Sequence, residues 1–335
     1  MDHECFMRQA LGLAQQAEGR TWPNPMVGCV IVNNGVVIAQ GMHRQAGTAH
    51  AERDALDNAT ADVRGATLYV NLEPCCHTAK RTPPCAQALI EAGIARVVIA
   101  NIDPNPAVSG AGIALLRAAG IEVITGILEA EGARLNEVFF HNQRTQLPFV
   151  HLKIASTLDG RVAMANGQSQ WITGAAARAH GHRLRASHAA IAVGANTVRT
   201  DNPRLTVRLP DYSGPQPVRL VFSRSGNLPA DAHVLADAEG SRTQIIRNTD
   251  LKQALHGLYR DGISNILLEG GPNLSAEFLK AGLVQRVSHY LNPSYLGEGL
   301  SALNPYGLQD LHQRLTLKHV EYSFVDDDLV LSGRL

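Results

Sequence analysis

The sequence predicts two consecutive α/β domains. Segments of period 2 alternate with segments of period 3.6 along almost the whole chain. Its 335 residues exceed what one hydrophobic core ordinarily organises, and all five cysteines fall within the first 85 residues.

The first part reads element by element. "DHECFMRQALGLAQQAE" is an amphipathic helix with Phe6, Ala10, Leu13 and Ala17 on its apolar side. "VGCVIV-NNG-VVIAQG" is a hairpin, because Asn-Gly tolerates the positive φ of a type I′ turn. "HAERDALDNA" is helical, "ATLYVNL" a strand, and "PPCAQALIEAG" a helix entered through prolines and closed by glycine. "ARVVIANID" (strand), "GIALLRAAG" (helix) and "IEVITGIL" (strand) complete a partly parallel sheet. A polar run then ends at Pro148, where a new apolar strand begins, so the expected domains are 1–146 and 147–335. In the second, strands fall at "FVHLKIA", "HAAIAVG", "VRLVFS", "TQIIRN", "NILLEGG" and "RVSHYLNP". Helices such as "AAARAHGHRLRA" and "NLSAEFLKAG" lie between them, and a closing hairpin turns across Asp326–Asp328.

Composition excludes several classes of function. Lys+Arg and Asp+Glu stand at 30 each, which argues against nucleic acid held by counterion release. No stretch has the length of a membrane span, and the first residues lack a basic segment followed by an apolar one. A cytoplasmic setting is expected, and there clustered cysteines point to metal or catalysis rather than disulfides. Cys5 and Cys29, outside the cluster, are expected to be free buried thiols.

The cluster itself is "LEPCCHTAKRTPPC" (72–85), with "HAERDAL" (50–56) upstream. A catalytic zinc takes three protein ligands and keeps a fourth position for water. His-x-Glu followed by Pro-Cys and a further Cys is the signature of zinc deaminases, in which the Glu moves protons without ligating. Adjacent residues on an extended chain face opposite sides, so Cys76 is expected to point away from Cys75. The expected ligands are His50, Cys75 and Cys85, with Glu52 as the proton carrier. In the second domain "EGGPNLSAEF" follows an apolar strand and opens a helix, where glycines and free N–H groups let a phosphate approach. It is not a G-x-G-x-x-G sequence, so no Rossmann fold follows.

Several stretches resemble a known family. "PNPMVGCVIV" (23–32), "HAERDAL", "LEPCCH", "RTPPC" and "DPNP" (103–106) are similar to the deaminase half of the bifunctional riboflavin-biosynthesis enzymes. "LKIASTLDGRVAMANGQSQWIT" (152–173), "DNPRLTVR" (201–208) and "LLEGGPNLSAEFL" (267–279) are similar to their reductase half. The resemblance spans nearly the whole chain, in order. It implies a three-layer cytidine-deaminase-like domain followed by a dihydrofolate-reductase-like α/β domain. The first would remove the 2-amino group of 2,5-diamino-6-(5-phosphoribosylamino)pyrimidin-4(3H)-one with one zinc ion. The second would reduce the ribosyl group of 5-amino-6-(5-phosphoribosylamino)uracil to ribityl with NADPH. A homodimer joined through the reductase domains is the family expectation.

The resemblance also implies residue roles. Asn24 would contact the substrate ribose. By their place in the sequence, His77, Thr82 and the pair Lys80–Arg81 flank the metal loop, where they could meet the pyrimidine edge or the phosphate, or, for the pair, stand as solvated charges. Ser169, Arg185, Leu205, Arg208 and Glu269 fall on substrate positions, the arginines for its phosphate. Ala155, Trp171, Thr197, Asp201 and Ser223 fall on cofactor positions, as do Gly271, Pro272, Asn273, Leu274, Ser275, Ala276 and Glu277 along the pyrophosphate. Lys153 or Asp201 would relay the proton during hydride transfer. The family spaces its two cysteines by nine steps, whereas Cys75 to Cys85 is ten, so Cys76 stands as the alternative ligand. A rival reading is a deaminase of the tRNA-adenosine type carrying an unrelated second domain.

Overall fold

The computed structural model describes residues 2–76, 84–105, 108–236 and 242–335. The chain divides into two compact units, Met1–Gln146 and Leu147–Leu335.

The first unit opens with α1 (His3–Gln15), capped by the Asp2 carboxylate accepting from the Cys5 N–H at 3.1 Å. Next come β1 (Gly28–Asn33), β2 (Val36–Met42), α2 (Ala51–Asp57), β3 (Thr67–Leu72), α3 (Cys85–Glu91) and β4 (Arg96–Asn101). The unit closes with α4 (Ala111–Ala118), β5 (Glu122–Thr125), α5 (Glu129–Leu135) and α6 (Glu137–Thr145). Asn34 and Gly35 both hold positive φ, as the β1–β2 turn requires. The sheet runs β2-β1-β3-β4-β5, with β3, β4 and β5 parallel and the β1 pairings antiparallel.

Strand alternation makes this sheet the middle of three layers. Cys29, Ile31, Leu68, Val70, Val97 and Ile99 face one side, against Ala51 and Ala55 of α2, Leu89 of α3 and Leu116 of α4. Val30, Val32, Tyr69 and Val98 face the other, against Met7, Ala10 and Leu11 of α1. Each face thus buries every second residue, and the parallel strands are apolar on both sides. The polar run before Pro148 is largely helical: α6 (Glu137–Thr145) buries Phe139 and Phe140 beside Leu72.

The second unit contains β6 (Phe149–Thr157), β7 (Arg161–Ala163), α7 (Ala175–Ala186), β8 (Ala190–Gly194), α8 (Ala195–Asp201), β9 (Val218–Phe222) and α9 (His233–Ala236). It continues with β10 (Thr243–Ile246), α10 (Leu251–Arg260), β11 (Asn265–Leu268), α11 (Pro272–Lys280), β12 (Arg286–Asn292), β13 (Leu300–Ser301), β14 (Lys318–Val325) and β15 (Asp328–Arg334). The main sheet is β10-β9-β8-β11-β6-β12-β15-β14. It is parallel from β10 to β12, and antiparallel where β15 and β14 join. Helices α10 and α11 pack Leu255, Leu258 and Phe278 on one face, while α8 covers Ile191 and Val193 on the other. The closing hairpin turns on Asp326 and Asp327 alone, because Asp328 already pairs with Val325.

The parallel strands end where β6, β8, β9 and β11 pass into loops or into α8 and α11. In open α/β sheets that edge is where ligands bind.

Candidate active sites

Three different local structures deliver the metal-binding residues of the first unit. His50 stands in extended conformation immediately before α2, Cys85 is the first residue of α3, and Cys75 lies just beyond β3. Their donor atoms all lie within 4.8 Å of one another. His50 Nδ1 is 3.6 Å from Cys75 Sγ and 3.3 Å from Cys85 Sγ. At a tetrahedral zinc, Zn–S of about 2.3 Å and Zn–N of about 2.0 Å separate the two atoms by about 3.6 Å. The donor set therefore fits zinc in both chemistry and spacing. Cys76 is half-buried and packs at the edge of the apolar core instead, so the extended-chain argument selects the right thiol.

Electrostatics in this cluster favour a thiolate beside His50. A hydrogen bond from Cys85 holds Cys75 down to about 3 against burial, and His50 assists. The Cys85 thiol is pushed up beside the Cys75 thiolate, with burial adding to the effect. Glu52, in the first turn of α2, is 3% exposed. Burial raises its carboxyl, and the Cys75 thiolate raises it further. Cys29 is a core thiol raised by burial, whereas Cys5, expected buried, is exposed on α1 because it points away from that helix's packed face.

Asn24 sits beside this cluster through a residue the sequence did not single out. His43 Nδ1 lies 3.0 Å from the Ala49 carbonyl, so it carries the proton and donates. Its Nε2 then accepts from Asn24 Nδ2 at 3.2 Å, which leaves the Asn24 oxygen for another partner. The His43 ring lies 5.6 Å from that of His50. Two buried amides hold the Asn24 segment: Asn136 bonds both the N–H and the C=O of Met26 at 2.8 Å, and Asn71 donates to the same C=O at 2.9 Å. His77, Thr82, Lys80 and Arg81 lie outside the described residues.

In the second unit two adjoining cavities open at the strand ends. One, of about 220 Å³, is lined by Lys153, Ala155, Ser169, Thr197, Asp201, Glu269, Gly271 and Pro272, among others. The other, of about 600 Å³, shares Thr197, Gly271 and Pro272 and adds Ser223, Asn273, Leu274 and Glu277. Asn196 lines both and had no signal of its own in the sequence. Ser169 donates to Asp201 at 3.2 Å. Burial lowers the Lys153 ammonium, which stands 5.1 Å from the centre of the Tyr290 ring.

Six of the expected residues do not line these cavities. Arg185 grips Glu269 through two parallel hydrogen bonds of 2.7 and 2.8 Å and gives a third, of 3.0 Å, to the Thr206 carbonyl. Although burial works against it, this pairing keeps the Glu269 carboxyl down at about 2. Arg208 bonds the Thr206 hydroxyl, and its backbone N–H donates to His182. Leu205 is a core residue packed with Val193 and Val198, and Ala276 is buried as well. Ser275 is 1% exposed and donates to the Gly270 carbonyl. Trp171 is 67% exposed, with the Arg178 guanidinium 4.6 Å from the centre of its ring.

A three-layer unit holding a His-Cys-Cys cluster with a buried Glu, followed by a mostly parallel sheet with a cleft at its strand ends, defines a two-activity enzyme: a zinc deaminase joined to a reductase. Residues 1–101 match the zinc-binding region of cytidine and deoxycytidylate deaminases, and residues 148–331 match the RibD C-terminal domain. The riboflavin biosynthesis protein RibD of Actinobacillus pleuropneumoniae is 41% identical over 97% of this chain and 93% of its own length. The structure of Acinetobacter baumannii RibD superposes with a TM-score of 0.91 at 39% identity, covering 99% of this chain and 98% of that one. That of a Thermotoga maritima diaminohydroxyphosphoribosylaminopyrimidine deaminase/5-amino-6-(5-phosphoribosylamino)uracil reductase does so at 0.90 and 38%, with the same coverage. The chain belongs to the RibD family of bifunctional riboflavin-biosynthesis deaminase–reductases. The second domain is therefore not an unrelated appendage, and the tRNA-type reading falls away.

Proposed function

We propose that His50, Cys75 and Cys85 bind one zinc ion and that Glu52 carries the proton in hydrolytic removal of the 2-amino group from 2,5-diamino-6-(5-phosphoribosylamino)pyrimidin-4(3H)-one. The observation that supports this best is the convergence of the three donors, with the buried Glu52 two residues after His50. Zinc, when bound, makes a water molecule nucleophilic at neutral pH. Glu52 accepts the proton from that water and returns it to the departing amine, a task suited to a carboxyl raised by burial. Asn24, its amide fixed by His43, offers an oxygen to a ribose hydroxyl.

The second half of the proposal is reduction of the deaminated ribosyl group by NADPH. The larger cavity suits the cofactor's adenosine and pyrophosphate, with Thr197, Ser223 and the start of α11 as partners. A Cβ built at Gly271 would meet nothing within 4 Å except Thr197 Oγ1 at 3.5 Å, so the backbone face there is open to a phosphate. NADPH supplies the hydride, and Lys153 or Asp201 delivers the accompanying proton from the smaller cavity. Arg208 is the cation offered to the substrate phosphate. Arg185 serves instead to hold Glu269, because its fork is already committed. The exposed Tyr322 and Phe324 on β14, at the sheet edge, suit a homodimer through this domain. Free thiols suit a cytoplasmic enzyme. No helix among the described residues is long and apolar enough to cross a membrane.

Titration with NADPH tests the cofactor half. Gly271→Val should fold normally, since the site has room, yet weaken NADPH by about tenfold or more as the side chain fills the approach to the pyrophosphate. Deaminase turnover should stay at the wild-type level. If Arg208→Ala loses NADPH and Gly271→Val keeps it, the substrate and cofactor ends of the cleft are exchanged.

A further inference from the structure

We infer that Glu73 is a positioning residue for the zinc site, holding the Cys75 ligand in place by capping α4 from outside the helix. This rests on the assignment of Cys75 as a zinc ligand.

Two of the three donors ride on helix starts: His50 at the entry of α2, and Cys85 on α3. Cys75 lies three residues beyond the last residue of β3 and starts no helix; the first turn of α3 meets it directly, the Ala86 N–H donating to its carbonyl at 3.1 Å and the Cys85 N–H to its thiol at 3.4 Å. Glu73 holds the peptide that leads into it. Its backbone N–H continues the strand pairing to the Asn101 carbonyl at 2.9 Å, and its side chain is buried, 3% exposed. One carboxylate oxygen accepts from the Gly110 N–H at 2.9 Å and the Asp103 N–H at 3.2 Å; the other accepts from the Ile113 N–H at 3.2 Å.

These partners identify the job. Gly110 is the residue immediately before α4, and Ile113 is the third residue inside it. A capping box satisfies those same two N–H groups, ordinarily with side chains of the helix's own first turn. Gly110 has no side chain to offer, and a carboxylate 37 residues earlier in the chain does the work instead. The helix start is also pressed against the peptide that leads into Cys75. A Cβ at Gly112 would stand 2.2 Å from the Pro74 carbonyl oxygen and 3.2 Å from Glu73 Oε1. The peptide leading into Cys75 is therefore clamped between the β3–β4 ladder and the start of α4, with the Glu73 side chain joining the two.

Groups that orient metal ligands typically change metal affinity by about 10–100-fold when removed. The full-length zinc enzyme should accordingly release its metal to a chromophoric chelator about 10–100-fold faster as Glu73→Gln, whose amide turns a donor toward an N–H group. Glu73→Asp, too short to reach all three donors, should fall between that variant and wild type. Leu116→Ala removes a fully buried side chain from the same helix, lowering Tm while leaving the release rate at its wild-type value. The visible bands of the cobalt(II)-substituted protein should shift in Glu73→Gln and not in Leu116→Ala. Should Glu73→Gln prove insoluble, Glu73→Asp against Leu116→Ala decides the matter alone. Release at the wild-type rate from the Glu73 variants overturns the inference. So does release from Leu116→Ala as fast as theirs, which would make helix stability the cause. A wild-type protein without stoichiometric zinc would instead overturn the ligand assignment beneath it.

Discussion

Glu52→Gln should lower deamination by about 10²-fold or more, the usual contribution of a positioned proton carrier. The substitution preserves volume, so the packing around this 3%-exposed side chain survives. What it removes is the basic oxygen that takes a proton and gives it back. Zinc content should be unchanged, since the three donors are untouched, and reduction of pre-deaminated substrate should proceed as in wild type. Ammonia release and NADPH oxidation, measured on one preparation with its metal content, separate these outcomes. Equal loss of both activities would contradict independent catalysis by the two domains.

The cysteine variants should have an effect as large, by a different route. Cys75→Ser and Cys85→Ser each replace a thiolate donor with a neutral hydroxyl, a poor ligand for zinc. Both should be purified depleted of metal and without deaminase activity. Cys76→Ser should keep both, because that side chain packs against the apolar core rather than facing His50. Metal analysis of the three proteins is sufficient. Zinc retained in Cys75→Ser and lost from Cys76→Ser would move the site by one residue.

Much of this site was legible in the sequence because its chemistry is local. His50 and Glu52 are two residues apart at a helix start, and a ligand's thiol and its neighbour's separate by the simple alternation of an extended chain. The Asn34–Gly35 turn was legible for the same reason, as its positive φ values need only two residues to encode. The residues that hold the site were not legible. Glu73 meets N–H groups 30 to 40 residues away, and Asn136 meets Met26 across 110. Their partners are backbone atoms, which leave no mark on the identity of the partner residue. His43 was missed likewise, since one of its partners is a backbone carbonyl. Helices α5 and α6 were given no element in the sequence, because they bury only Gly132 and Phe139, Phe140 and Asn142 and so carry little apolar periodicity. In the reductase domain the pairing of Arg185 with Glu269 was not legible either, since 84 residues separate the two in the chain.

On the proposed function, one chain carries two separate catalysts, of which only the first needs metal. Chelation tests it most directly. Wild-type enzyme is incubated with a strong zinc chelator, freed of it, and assayed for ammonia release from the diaminopyrimidine and for NADPH oxidation with the deaminated substrate. Deamination should be abolished and restored by added zinc, while NADPH oxidation stays at its starting rate throughout. Loss of NADPH oxidation in parallel with deamination, or deamination that survives complete removal of zinc, would contradict it.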